Sequence, residues 1–285
     1  MKLIRYGETG NERPGLQLDD GRLVDASSIV NEYNEEFFAS GGLEKLQEWA
    51  SANADNAEQI SADHRIGSPI ARPSKMICIG LNFSDHAAET GAETPKEPVI
   101  FSKATSALSG PFDNIVIPKG SEQTDWEVEL AIVISKHASY ISETEAEDYI
   151  AGYILHNDVS ERSFQKDRGG QWTKGKSSDT FAPLGPFMAT KDEIPDTDNL
   201  AMWLTVNGEK MQDGNTSNLI FNVPHVVSYL SNFMSLLPGD VISTGTPAGV
   251  GMGMDPEKYL KPGDVVELGI DGLGSSRQNV VAYSN

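Results

Sequence analysis

The sequence predicts an α+β fold that is mostly β, and three observations carry that prediction. Short apolar runs recur between Gly and Pro along most of the 285 residues. Helical periodicity is confined to a few stretches, and strands do not alternate with long helices as a doubly wound sheet or a TIM barrel requires. The expected organisation is a small α+β unit over residues 1–70 followed by a compact β-rich domain over residues 71–285, with no internal repeat.

In chain order, the first unit reads as short strands in KLIRY, GLQLDD and RLVDA, then an amphipathic helix over about residues 35–52. RIGSPIARPSK, with Pro69 and Pro73, marks the boundary. The strand candidates that follow are KMICIG, PVIFSK, NIVIP, EVELAIVIS, YIAGYIL, AMWLTV, GDVIST and GDVVELGI. Helices are expected after Asn82, over 143–148 and over about 223–233. Ser142 with Glu145 three residues on is a capping-box pattern. Cys78 is the only cysteine, so no intramolecular disulfide forms; within MICIG it reads as a small core residue rather than a nucleophile.

Composition excludes several classes of function. With 42 acidic against 22 basic residues the formal charge is −20, the wrong sign for a nucleic-acid or anionic-membrane partner. The longest purely apolar runs, such as LAIVI, span about five residues where a bilayer needs roughly 20. The opening MKLIRYGETG lacks a secretory apolar core, so a cytoplasmic location is expected.

Two glycine motifs fail on context. Gly170, Gly175, Lys176 and Ser177 satisfy the P-loop formula, but no buried strand precedes them and Trp172 fills the loop. Gly249, Gly251 and Gly253 lack the third dinucleotide-motif glycine, whose position Met254 takes, and read as a flexible turn.

DWEVELAIVI is more informative. As a strand it places Trp126, Val128, Leu130, Ile132 and Ile134 on one face and Glu127, Glu129, Ala131 and Val133 on the other. The two carboxylates are then about 6.7 Å apart at the Cα level, where their repulsion is on the order of 2 kcal/mol at an effective dielectric near 20. Solvent at a strand end offsets that as well as a hard divalent cation does, and this motif alone leaves both readings open.

YIAGYILHNDVSER adds Asp158 at the end of another apolar strand, which can meet the Glu pair. Arg162 and Gln165, three apart, share a helix face that suits a substrate carboxylate. His156 reads as structural. In IGLNFSDHAAETG, Ser84 or Asp85 can cap a short helix on which His86 and Glu89 are neighbours. A carboxylate beside an imidazole makes a general base, and it is also a common arrangement on a solvated helix face. His64, His137 and His225 have no acidic neighbour at helical spacing. Lys176, Thr244 and Thr246 sit in glycine-rich loops and are individually bland.

Taken together and in order, GLNFSDHAAE, DWEVELAIVI, HNDVSERSFQ, GGQWTKGKSSDTFAPLGP and STGTPAGVG resemble the fumarylacetoacetate hydrolase family over about residues 71 to 282. RPGL, DGRLVD and GGQW look like the longer bacterial members that act on diketo-deoxy sugar acids, most of all 2,4-diketo-3-deoxy-L-rhamnonate or L-fuconate hydrolases. The resemblance implies a β-sandwich or β-roll catalytic domain, a homodimer, and a divalent ion held by Glu127, Glu129 and Asp158. That ion is Mg²⁺, with Mn²⁺ or Ca²⁺ as alternatives. It further implies a water-activating pair of His86 and Glu89 on a lid, Lys176 stabilising developing negative charge, and Arg162, Gln165 and Thr246 binding substrate oxygens. The implied reaction is hydrolysis of a carbon–carbon bond in a 2,4-diketo acid to pyruvate and a hydroxy acid. A decarboxylase or keto–enol isomerase, a ureidoglycolate lyase, and a non-catalytic sugar-acid or metal-binding protein are the alternatives. Two departures lie near the implied pocket: Phe83 stands where many relatives carry Tyr, and Ser177 and Ser178 replace a commoner Gly-Phe pair.

Overall fold

The computed structural model describes residues 1–89 and 93–284. Strands dominate, as the sequence predicts, and they form two mixed sheets packed against each other and a small antiparallel pair of Thr124–Asp125 with Ser160–Glu161. The larger sheet runs in the order Leu23–Asp25, Arg13–Gln17, Lys2–Tyr6, Ala182–Thr190, Ile150–Asn157, Val128–Ile134, Val241–Ser243, Met76–Gly80, Val99–Lys103. The smaller follows Glu209–Asn215, Ala201–Val206, Val265–Ile270, Gly274–Ala282, Ile115–Ile117. The N-terminal strands pair with the larger sheet through Lys2↔Ala189 and Leu3↔Met188.

Val128–Ile134 lies at the centre and is buried at every position, which its near-continuous β-branched and Leu content suits. It pairs antiparallel with Ile150–Asn157 on one side and Val241–Ser243 on the other. The ends of the first two supply Glu127, Glu129 and Asp158, and Val241–Ser243 supplies Ser243. Cys78 is buried in Met76–Gly80, and burial pushes its thiol well above the ordinary range, away from the reactive thiolate.

Several elements differ from the sequence expectation, each for a local reason. The helix expected over 35–52 is two helices, Glu35–Ala39 and Gly42–Asn53. Gly41 turns the chain at φ 69°, and a Cβ at Gly42 would lie 2.3 Å from the Phe37 ring. The helix at Val223 ends at Ser231, with Asn222 capping its start. The Ser142–Glu145 capping box forms, but on the 3₁₀ segment Glu143–Tyr149. Ala182–Thr190 is a strand despite Pro183 and Pro186; its pairing with Ile150–Asn157 is irregular between Ile154 and His156, so the ladder does not ask those prolines for every N–H. The P-loop-like stretch is a four-residue helix, Thr173–Lys176, that follows the Arg162–Lys166 helix rather than a strand. Among the described residues no helix is long and apolar enough to cross a membrane.

Candidate active site

Glu127 immediately precedes the central strand, and its carbonyl accepts from the Asp158 N–H at 2.9 Å, while the Asn157 side chain accepts from the Glu127 N–H at 3.2 Å. These bonds bring the acid that ends one strand beside the acid that begins the next. The periodicity of two then turns Glu129 to the same side. Ligand oxygens of Glu127, Glu129 and Asp158 all lie within 4.8 Å of one another, and all three residues are buried.

Such a cluster needs cations. Lys176 Nζ donates to Glu127 Oε2 and Asp158 Oδ2, both at 2.8 Å. Arg162 Nη2 lies 2.7 Å from Glu127 Oε1 and 2.8 Å from Asp125 Oδ2. Lys103, buried at the end of its strand, pairs with Asp158 and donates to the Val159 carbonyl at 3.1 Å. Four acids, counting Asp125, therefore face three bases. The carboxylate without a cation among the described residues is Glu129, which accepts instead from the Ser243 hydroxyl and from Gly245 N–H at 3.1 Å.

The electrostatics follow this geometry. Burial alone would raise Glu127 and Asp158, but Lys176 and Arg162 hold Glu127 below the usual carboxylate range, and Lys103 and Lys176 hold Asp158 well below it. Glu129 is pushed well up, by burial first and then by Asp158 and Glu127. Burial acts to lower Lys176, but Asp158 and Glu127 outweigh it and keep the ammonium charged above its ordinary range.

The donor set fits a hard divalent cation: three carboxylates, one with no cation beside it among the described residues. Both bonds to Glu129 reach Oε2, which leaves Oε1 for an ion. Each oxygen facing Lys176 keeps a further lone pair. Glu127, Glu129 and Asp158 are the residues that would hold the metal.

Glu127 and Glu129 open onto a cavity of about 210 Å³ that His86, Arg162, Gln165, Lys176 and Thr246 also line, and Asp158 is joined to that lining through Lys176. His86 sits on the short helix Ser84–Glu89, its Nδ1 3.4 Å from Glu89 Oε2. Glu89 stands behind the imidazole and accepts from the Gly249 N–H at 3.0 and 3.1 Å, tying the helix to the glycine turn. Asn82 roots the same segment by donating to Phe221 and Thr244 carbonyls at 3.0 and 2.8 Å. Residues 90–92, which would continue the expected lid, lie outside the described residues.

The structure thus brings all nine sequence-predicted residues to one place, with Glu89 behind His86. It also specifies what three of them have free. The Arg162 guanidinium is turned to Asp125, Glu127 and Gln165 Oε1. Gln165 consequently keeps its amide N–H groups for the cavity. The Thr246 hydroxyl donates to the Val128 carbonyl and accepts from Gln212 Nε2, leaving one lone pair for a substrate. Phe83 is fully buried in the core, and Ser177 accepts from the Ala104 N–H at 2.8 Å.

Sequence reasoning missed Lys103, Asp125, Phe101 and the place of Trp172. Asp125 accepts from Gly251 and Met252 N–H as well as Arg162, so it couples the glycine turn to the cation that orients Glu127. Phe101 and Trp172, with ring centroids 5.3 Å apart, wall the cavity. Trp172 packs over Gly80, where a Cβ would meet it at 2.4 Å. The lysine ending PVIFSK was the available signal for Lys103.

The family model described as fumarylacetoacetate (FAA) hydrolase C-terminal matches residues 75–281. A fumarylacetoacetate hydrolase from psychrophilic Exiguobacterium antarcticum is 34% identical with a TM-score of 0.88, covering 99% of this chain and 100% of that one. A maleylpyruvate hydrolase from Sphingobium sp. SYK-6, solved with a manganese(II) ion and pyruvate, is 28% identical with a TM-score of 0.83 over 100% of both chains. A 2-hydroxyhepta-2,4-diene-1,7-dioate isomerase from Mycobacterium marinum is 32% identical with a TM-score of 0.77, again over 100% of both.

Proposed function

This chain belongs to the fumarylacetoacetate hydrolase family, and on that premise we propose that it is a metal-dependent hydrolase that cleaves a 2,4-diketo acid to pyruvate and a hydroxy acid. The observation that carries the reading is the buried trio Glu127, Glu129 and Asp158, whose two glutamates line a cavity that also includes a histidine backed by a carboxylate. Mg²⁺ is the proposed ion, with Mn²⁺, the metal of the Sphingobium neighbour, or Ca²⁺ as alternatives. When bound, it supplies a Lewis acid for the carboxylate and adjacent keto oxygen of the substrate.

The chain's own groups supply the rest. His86, oriented by Glu89, takes the proton of a water molecule adding to the distal carbonyl carbon. Lys176, held as a cation by Glu127 and Asp158, offsets the negative charge on that carbonyl oxygen. The carbon–carbon bond then breaks; its electron pair passes to the enolate of pyruvate, and the protonated His86 returns a proton to it. Arg162 orients Glu127 and Gln165; Gln165 offers an N–H donor to a substrate oxygen, and Thr246 offers a lone pair to a substrate hydroxyl. Phe101 and Trp172 keep water from the far wall.

RPGL, DGRLVD and GGQW support a sugar-acid substrate of the 2,4-diketo-3-deoxy-L-rhamnonate or L-fuconate type, and a cytoplasmic homodimer completes the reading. The Mycobacterium marinum neighbour favours a second reading, a keto–enol isomerase using the same site without water attack. Product analysis on a panel of 2,4-diketo acids separates them. Hydrolysis predicts pyruvate from the wild type and none from His86→Ala; isomerised substrate from both proteins, without pyruvate, would establish the second reading instead.

A further inference from the structure

One buried titratable side chain beside the acid trio has no part in the reaction just described. His156 lies directly opposite Glu129 across the strand pair and is fully buried. Its Nδ1 is 2.7 Å from Ser243 Oγ, and the Ser243 hydroxyl donates to Glu129 Oε2. Ser243 arrives from the strand on the other side of Val128–Ile134, so three neighbouring strands meet in one chain of hydrogen bonds. His156 Nε2 is buried without a hydrogen-bond partner.

The direction of the chain is fixed by donor and acceptor counting. As a metal ligand Glu129 would be ionised; an ionised carboxylate only accepts, and a serine hydroxyl has one proton to give. With that proton on Glu129, Ser243 Oγ must accept from His156, whose Nδ1 therefore carries the hydrogen. Nε2 is then a buried lone pair, a smaller cost than a buried orphaned N–H.

We infer that His156 is a positioning residue for the metal centre: its Nδ1–H fixes the Ser243 hydroxyl, which aims the Glu129 carboxylate so that Oε1 faces the ion. The inference rests on the proposed role of Glu129 as a ligand. Outer partners of this kind commonly contribute about 10–100-fold in metal affinity.

The test is Mn²⁺ calorimetry on the wild type, His156→Leu, His156→Asn, Ser243→Ala and the Ser243→Ala/His156→Leu double variant. Leu is close to Asn in shape but donates nothing; Asn places an N–H near the Nδ1 position. His156→Leu is expected to bind Mn²⁺ about 10–100-fold more weakly, His156→Asn to recover most of that loss, and His156→Leu to add nothing in the Ser243→Ala background. Wild-type affinity in His156→Leu overturns the inference. Equal losses in Leu and Asn do so as well, because packing rather than the hydrogen bond would then explain them. A wild type that does not bind Mn²⁺ overturns the metal reading itself, a result separate from tight wild-type binding that the variants leave unchanged. Should the Leu variant not fold, ¹⁵N NMR of the histidine-labelled, Mg²⁺-loaded wild type decides: a protonated Nδ1 and a bare Nε2 support the relay, and the opposite tautomer overturns it.

Discussion

Glu129→Gln separates a metal ligand from a structural acid more cleanly than any other substitution in the trio. Asp125, Glu127, Glu129 and Asp158 face Lys103, Arg162 and Lys176, and only Glu129 lacks a cation among the described residues. At the 4.8 Å limit of the cluster, repulsion from each neighbouring carboxylate is about 3 kcal/mol at an effective dielectric of 20. A neutral amide relieves that repulsion, and its carbonyl can still accept from Ser243 and Gly245. Metal-free Glu129→Gln is therefore expected to melt at or slightly above the wild-type temperature. The metal response should move the other way. At about a hundred times Kd, Mn²⁺ stabilises the wild type by about 2.7 kcal/mol, or roughly 5–10 °C at the few degrees per kcal/mol usual for a chain near this size. If losing one carboxylate of three weakens binding about a hundredfold, the same Mn²⁺ concentration yields only about 0.4 kcal/mol, roughly 1 °C. Thermal unfolding of chelator-treated protein with and without Mn²⁺ reads both effects. An undiminished Mn²⁺ shift in Glu129→Gln would refute the ligand assignment, and a metal-free variant that melts many degrees lower would refute the charge count.

Lys176→Met leaves Glu127 and Asp158 short of a buried cation and should destabilise the metal-free protein by about 3–5 kcal/mol; denaturant unfolding is expected to show part of this loss recovered in Mn²⁺, while activity stays lost. Gly80→Ala puts a Cβ 2.4 Å from Trp172, so a cost of about 1–3 kcal/mol and a raised KM are expected, and steady-state kinetics equal to wild type would contradict the wall assigned to Trp172. The N-terminal strands should weaken in acid. Burial acts to raise Glu12 and Asp25, but a backbone bond, Arg65 and Arg5 hold Glu12 down, and Ser27, Tyr6 and Arg13 hold Asp25 down. Groups depressed in the folded state contribute their full stability above the unfolded carboxylate pKa of about 4, begin to lose it below that pH, and have lost it once pH falls through the lower folded pKa. Protection factors over residues 2–25, corrected for the intrinsic exchange rate, should therefore fall below about pH 4, and protection that holds steady into stronger acid would contradict this.

The site was legible where chemistry rides on local periodicity. Glu127 and Glu129 share a side because a strand alternates, and Asp158 declared itself by ending an apolar run. His86 and Glu89 followed from helical spacing. Other features depend on partners distant in sequence. Lys103 is a cation of the centre only because its strand joins the edge of the same sheet, and Asp125 matters only because the turn at Gly251 returns to it. His156 read as structural until Ser243 appeared between it and Glu129. Three long strands were hidden by composition, among them the polar Glu209–Asn215. Ala182–Thr190 carries prolines, which its irregular pairing tolerates, and Gly274–Ala282 buries Ser276 and Gln278 where an apolar alternation would have been recognised. The helix break at Gly41 and Gly42 depended on the packing of Phe37, which no periodicity encodes.

Pyruvate release from a 2,4-diketo acid by metal-stripped and metal-restored protein tests the central claim most directly. The trio of Glu127, Glu129 and Asp158 predicts no pyruvate after chelation and recovery on adding Mg²⁺ or Mn²⁺. Pyruvate formed at an undiminished rate by protein verified to be free of metal would contradict it.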